Sequence, residues 1–500
     1  MSATLGALIK QLQPDWSIHI FETLPDVALE SSYAWNNSGT GHSALCELNY
    51  TKELPDGTID ISSAVNINEQ FQVTRQFWSY LVNEGVLPDP EAFVNHIPHM
   101  SFVWGDDNVE FLRRRFDALK DHPLFRGMEY SEDPAVIRSW APLLLPGRKK
   151  SQRFAATRMA AGTDIDFGTL THNLVEYLTE NGAVLGIEQR VTNLTRERNG
   201  LWRIRARHVI GSAPFTMHAR FVFVGAGGGA LRLLQRSGID EVKGYGGFPI
   251  SGQFLRTDSP ALVARHRAKV YGKAASGSPP MSVPHLDTRI VDGNASLMFG
   301  PYAGLNFKFL KTGSWFDLPL SVRPRNIIPL LAVAKDNLDL VWYLVTQVVA
   351  SRRTKFAALK EFIPDAKPSD WYQITAGQRV QVIKPDAEKG GILEFGTEVV
   401  HSGDGSIAGL LGASPGASTA VPIMLELLER CFPDRIAGWV PQLKRMIPSY
   451  GTALSAKPQL ARRTLAATEK TLAIVWSQPM SRVVLSVSRA GSDTLARPNG

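Results

Sequence analysis

Leu5, Leu8, Ile9 and Leu12 recur at helical spacing at the start of the chain, and Pro14-Asp15 breaks the run. Ile18, Ile20 and Phe21 then lead to Glu22, with His19 interrupting the apolar set. The pattern predicts a helix, a turn and a strand ending on an acid. A strand-ending acid after a small-residue helix is the second half of a dinucleotide-binding unit. Its first half, a buried strand and a glycine turn, would precede Met1.

Further along, residues 70–130 read as mainly helical and 134–170 as loop-rich, with a helix starting near Thr169. Short strands follow in "AVLGIEQRVTNLTRERNGLWRIRARHV", where Asn199-Gly200 is a hairpin signal. "ARFVFVGAGGGALRLLQRSG" is a continuous apolar strand, a glycine turn and a helix. Residues 245–400 mix short strands and prolines with a helical insert near 326–362. "SIAGLLGASPGASTAVPIMLELLERCF" returns to strand, glycine-rich turn and long helix. Strand–helix units at both ends of the chain predict an α/β nucleotide-binding domain built from discontinuous segments, with a mixed domain inserted into it.

Length and composition support this and exclude little. At 500 residues, 44% apolar and 20% charged, the chain can bury the cores of two connected domains. Two cysteines, Cys46 and Cys431, make neither a disulfide framework nor a Cys-rich metal site. Met1–Gly6 has neither the basic stretch nor the apolar core of a signal peptide. The most apolar run, "NIIPLLAVAKDNLDLVWYLVTQVVA", is interrupted by Lys335, Asp336 and Asp339 and reads as two amphipathic or buried helices. The net charge of +7 includes the clusters Arg113–Arg115, Arg148–Lys150 and Arg352-Arg353. These are solvated faces or an attraction toward anionic membranes or substrates. No basic stripe carries interleaved aromatics, so nucleic acid is not an expected partner.

The candidate chemistry lies in five stretches. "GAGGGA" at 225–230 follows a strand and opens a helix, so its backbone N–H groups can meet a phosphate. No apolar strand ending in an acid follows it, since Glu241 sits in a polar loop. A second contact to a nucleotide held elsewhere fits better than an NAD site, and a tight strand–helix turn stays open. "LLGASPGAST" at 410–419 aims a helix N-terminus at a ligand, or is itself a tight junction. "SSYAWNNSGTGHSALCELNY" at 31–50 crowds Asn36, Asn37, Ser38, Thr40 and His42 around Gly39 and Gly41, and His42 can take a proton near neutrality. "GQRVQVI" places Arg379 beside an apolar strand, suited to clamp a carboxylate or to form an ion pair. "FGPYAGLNFKFLKTGS" adds Tyr302 and Lys308. The metal motif His-Glu-x-x-His is absent from the sequence.

Taken together these stretches, with "GTDIDFGTLT", "LEFGTEVV" and "MIPSYG", resemble the FAD-dependent malate:quinone oxidoreductases in family order from residue 1 to about 474. The resemblance implies a glutathione-reductase-like FAD-binding domain over 1–50, 150–245 and 390–474, and a mixed α+β substrate domain over 51–149 and 246–389. Residues 475–500 match nothing in the family and are expected to be disordered. The implied reaction is oxidation of (S)-malate to oxaloacetate, with electrons passed through FAD to a membrane quinone. The implied location is cytoplasmic, peripheral on the inner face of the cell membrane. Related readings are an oxygen-using FAD-dependent 2-hydroxyacid or amino-acid oxidase, and a remnant without cofactor.

By the same resemblance Ser2 and Gly6 take positions in the first FAD fingerprint, and Glu22 holds the ribose. Gly225 and Gly227 form the second glycine contact. Gly412, Ser414, Pro415 and Gly416 form the turn facing the flavin, and Ser38, Gly39, Thr40 and Gly41 line it. His42 is expected as base and Arg379 as the main carboxylate clamp, with Tyr302 and Lys308 as auxiliaries. The family's first strand and its Gly-x-Gly turn would lie before Met1, so weak FAD binding is expected of the chain as it stands.

Overall fold

The opening helix, Ser2–Leu12, buries Leu5, Leu8, Ile9 and Leu12 on the spacing that predicts it. It lies against helix Phe167–Glu180 so closely that a Cβ on Gly6 would come within 2.7 Å of a Leu178 methyl group. The glycine lets the two helices approach closely there, with the Leu178 methyl group seated against it. The computed structural model describes residues 1–273, 283–394, 396–412 and 416–474. Ser414, Pro415 and the segment 475–500 lie outside the described residues.

After the helix, strand His19–Phe21 runs parallel to Val184–Gly186. Strand Val222–Val224 runs parallel to Ile407–Gly412, which pairs antiparallel with Thr397–His401. Residues 18–24, 184–189, 222–228 and 397–412 thus come together from distant parts of the sequence. Helices Ala420–Cys431, Pro433–Met446 and Ser62–Asn83 share one apolar core with the opening helix. The expected hairpin forms between Gln189–Arg196 and Trp202–His208, with Gly200 at φ +82°, and Pro214–Ala219 completes a three-stranded meander.

A nine-stranded mixed sheet makes the second body. Its order is Gly390–Glu394, Tyr372–Asp386, Gly246–Thr257, Asn294–Leu305, His285–Val291, Lys269–Tyr271, His99–Trp104, Phe154–Met159 and Glu129–Ser131. Three segments lie across the approximate boundaries expected from sequence. Helix Ser62–Asn83, expected in the substrate domain, packs on the helices of the other body, whereas Phe154–Met159 and Gly390–Glu394 belong to the large sheet. The stretch expected to be helical over 70–130 contains strand His99–Trp104. Its first five residues are all buried, so no alternation marks it as a strand. The helical insert forms as expected, as Ile327–Asp336, Leu338–Val349 and Arg352–Phe362.

Candidate active site

Two sequence-distant glycine turns meet at the N-terminus of the opening helix. A Cβ on Gly225 would strike the Ser2 hydroxyl, and one on Gly416 would lie 3.3 Å from the Met1 methyl group. The helix has no side-chain cap and no acid in its first turn, so its leading N–H groups face no competing anion. Helix Ala420–Cys431 is likewise uncapped and acid-free at its start. Glu22 follows its strand half-buried, with Oε1 accepting the Leu24 N–H at 2.9 Å. Burial raises its carboxyl above the usual range, against the Leu24 and Thr23 N–H groups that favour the charge. Uncapped helix starts, close-packed glycines and a half-buried carboxylate after a strand are groups that can hold a dinucleotide, with Ser2 and Gly225 suited to a diphosphate and Glu22 to a ribose. Gly227, at φ +53°, and Gly412, at φ +86°, line a crevice of about 220 Å³ together with Val380 and Gln381.

Loop 31–50 fills the space between the two bodies. Gly39 has φ +59°, and a Cβ there would collide with the Arg289 guanidinium. One on Gly41 would collide with Thr163 and the Phe71 ring. These two glycines serve packing of the loop against protein, which sequence could not separate from packing against a flavin. Two buried cations fasten the loop: Lys269 donates to the Ser38 carbonyl at 2.7 Å, and Arg289 to the Ala34 carbonyl at 2.8 Å. Asp164 neutralises both, 2.8 Å from Lys269 and hydrogen-bonded to Arg289. All three side chains are fully buried. Asp287 stands 3.8 Å from Lys269 and 2.7 Å from His285 Nδ1, and their charges pull its carboxyl down against the opposing effect of burial.

His42 is half-buried, and its Nδ1 lies 2.6 Å from Glu47 Oε1. Burial pushes the Glu47 carboxyl up, but the hydrogen bond and charge of His42 outweigh it and hold Glu47 at about 2. A carboxylate on Nδ1 fixes the ring and leaves Nε2 as the free nitrogen, which has no partner among the described residues. The His42 N–H donates to Ser418 Oγ at 3.0 Å, and that hydroxyl donates to the Thr40 carbonyl at 3.0 Å. The two loops that sequence singled out therefore touch. The Thr40 and Tyr271 hydroxyls are 2.9 Å apart, and the Tyr271 ring stacks on His285 at 4.4 Å.

Arg379 lines a solvent-open cleft of about 380 Å³ with Asn37, Ser38, Ser251, Ala303 and Gly377. It has no hydrogen bond or ion pair among the described residues. Burial lowers its guanidinium from the ordinary range, with the Tyr271 and Tyr50 hydroxyls acting against that. Tyr50 and Tyr271 both feel the charge of Glu47 as well, so Arg379 and the His42–Glu47 pair share one electrostatic neighbourhood. A cleft guanidinium without a partner among the described residues can bind an anion, and an imidazole oriented by a carboxylate can take a proton.

Tyr302 and Lys308 are not brought there. Pro301 and Ala303 face the cleft, so strand alternation turns Tyr302 to the other side, where its hydroxyl donates to the Lys355 carbonyl at 2.6 Å. The Lys308 ammonium lies 5.6 Å from the Trp315 ring, itself largely exposed. From the same stretch as Lys308 it is Lys311 that reaches the site loop, donating to Asn36 Oδ1 and the Thr375 carbonyl, each at 2.9 Å. Sequence reading missed Lys311, Glu47, Asp164, Lys269 and Arg289. The one available signal was charge inside apolar strands, as in "HLDTRIV".

The fold and its paired glycine turns are those of an FAD-dependent oxidoreductase. FAD-bound L-α-glycerophosphate oxidase from Mycoplasma pneumoniae superposes with a TM-score of 0.54 at 14% identity, over 86% of this chain and 92% of that one. Glycine oxidase from Geobacillus kaustophilus gives 0.53 at 12% identity, over 86% and 91%. The family model for malate:quinone oxidoreductase (Mqo) matches residues 1–474. The probable malate:quinone oxidoreductase of Leifsonia xyli subsp. xyli is 62% identical over 94% of this chain and 96% of its own length. That of Paenarthrobacter aurescens is 57% identical over 94% of each. The chain belongs to the malate:quinone oxidoreductase family.

Proposed function

We propose that this protein oxidises (S)-malate to oxaloacetate and delivers the electrons to a membrane quinone, working at the inner face of the cell membrane. Family membership supports the reaction, and Arg379, lining its cleft without a partner among the described residues, is the observation that carries the chemistry, with the His42–Glu47 pair as the proton acceptor. FAD, when bound, supplies the hydride acceptor; Ser2, Glu22, Gly225 and Gly416 are the residues that would hold it. Arg379 grips a malate carboxylate, with Ser38 and Asn37 lining the same cleft. His42 Nε2 takes the proton of the C2 hydroxyl, and Glu47 on Nδ1 stabilises the imidazolium that results. Lys269 and Arg289 hold the His42 loop against the large sheet, keeping base and clamp in register. No helix among the described residues is long and apolar enough to cross a membrane, so contact with lipid would be peripheral.

The test compares acceptors. Purified protein supplied with FAD should reduce a soluble quinone on addition of malate, with little oxygen consumption when quinone is omitted. Equal rates with oxygen alone, or no response to malate, would overturn the reading.

A further inference from the structure

The helical insert presents its apolar side outward. In helix Ile327–Asp336 the exposed positions include Ile328 (69%) and Leu331 (65%), while Pro329 and Val333 face inward. In helix Leu338–Val349, Leu338 (64%), Trp342 (71%) and Val348 (55%) are exposed at helical spacing, while Leu344 is buried. Both helices lie on one face of strand Gly246–Thr257: a Cβ on Gly246 would meet Leu330, and Ile250, four residues on, packs with Leu344. Their outer sides therefore form one surface. Preceding it in the chain are Trp315, Phe316 and Leu320, each more than half exposed. Monomeric proteins rarely leave so much contiguous apolar surface to water.

Charge decides what covers it. Arg323, Arg325, Lys335 and Arg353 flank the patch, all exposed and without an ion pair among the described residues, against Asp336 and Asp339. A second copy docking through the same face would bring like positive rims together. An anionic bilayer complements them, and short helices with Trp and aliphatic groups beside basic ones suit the lipid–water interface. The patch also adjoins the site. Ile250 and Ala303, which pack with Leu344 beneath the second helix, line the Arg379 cleft as well.

We infer that the outer face of Ile327–Val348, with Trp315 and Phe316, is the surface by which this protein seats on an anionic phospholipid membrane, bringing the mouth of the Arg379 cleft to the lipid. The inference rests on the quinone reading above for its purpose but not for its geometry. Twelve residues is too short for Leu338–Val349 to span the bilayer, so the helix lies in the plane of the interface.

The test is co-sedimentation of the full chain with vesicles of phosphatidylglycerol and phosphatidylcholine, compared with phosphatidylcholine alone, at low and high salt. Wild type should bind the anionic vesicles, less so at high salt. Ile328→Asn with Trp342→Ser should weaken binding about tenfold or more, with an unchanged thermal midpoint. Arg323→Gln with Arg325→Gln, which touches no apolar contact, should flatten the salt dependence and reads the same surface if the first pair fails to fold. Equal binding by wild type and both variants overturns the inference. So does light scattering that shows a dimer which Ile328→Asn with Trp342→Ser dissociates, with no vesicle binding by wild type. Vesicle binding that follows the variants in a protein inactive on malate and soluble quinone would sink the functional reading and leave the surface standing.

Discussion

Glu47 is only five residues from His42, yet its role depends on complete burial. Its folded value of about 2 lies below the ordinary 4.5, so the stabilisation it brings is fully present above about pH 4.5 and is lost as pH falls toward 2. Glu47→Gln should therefore flatten the loss of stability between those pH values, measured by denaturant unfolding at stepped pH. The same change removes the charge that favours imidazolium, so the acidic limb of the kcat/KM profile should move to lower pH. His42→Gln should lower kcat by about 10²–10⁴-fold and also lower the melting temperature, since it removes the partner of the buried Glu47 carboxylate. Arg379 behaves differently because nothing among the described residues pairs with it. Arg379→Met should raise KM for malate about 10–100-fold, the range expected for losing a charged hydrogen-bond partner. Its melting temperature should hold or rise, since a desolvated cation is removed. Steady-state kinetics and a thermal melt on one preparation check both.

At the scale of elements, the strands His285–Val291 and Lys269–Tyr271 carry ionic groups where a core strand would carry aliphatic ones. Asp164 meets both Lys269 and Arg289 in a dry setting, and each cation also donates to a loop carbonyl. Removing one partner leaves the others uncompensated, so Arg289→Met should cost about 3–5 kcal/mol in unfolding free energy. Gly39→Ala at φ +59° combines backbone strain with a clash against the same guanidinium, and should cost both stability and turnover. Sequence could read Gly39 as special but not say why. A glycine that lets a loop approach an arginine and one that lets it approach a ligand look alike until the neighbour is known. Tyr302 shows the same limit: it is one residue from Pro301 and Ala303 in the cleft wall, and the pleat places it opposite.

Across the whole molecule, the site is made where two bodies meet. Asp164 belongs to the short strand Thr163–Ile165, and it grips cations on the nine-stranded sheet while bridging to Thr40. Asp164→Asn should lower the thermal midpoint and raise KM for malate together, because one group holds both the junction and the loop. A drop in stability with unchanged KM would separate those roles.

The sequence by itself determined the parts that depend on local periodicity and turn chemistry. These are the opening helix and the strand ending at Glu22, the Asn199-Gly200 hairpin, the strand–turn–helix at 222–237, the insert at 327–362, and Arg379 as a cation set beside an apolar strand. Such features are encoded in neighbours a few residues apart. Only the tertiary structure decided that Ser2 meets Gly225, that Ser418 ties Thr40 to His42, and that Lys311 replaces Lys308 beside the cleft. It alone decided that the insert turns its apolar side to solvent. Burial and pairing are sums over contacts from distant segments, and one apolar helix pattern fits a core or a membrane surface equally until those contacts exist.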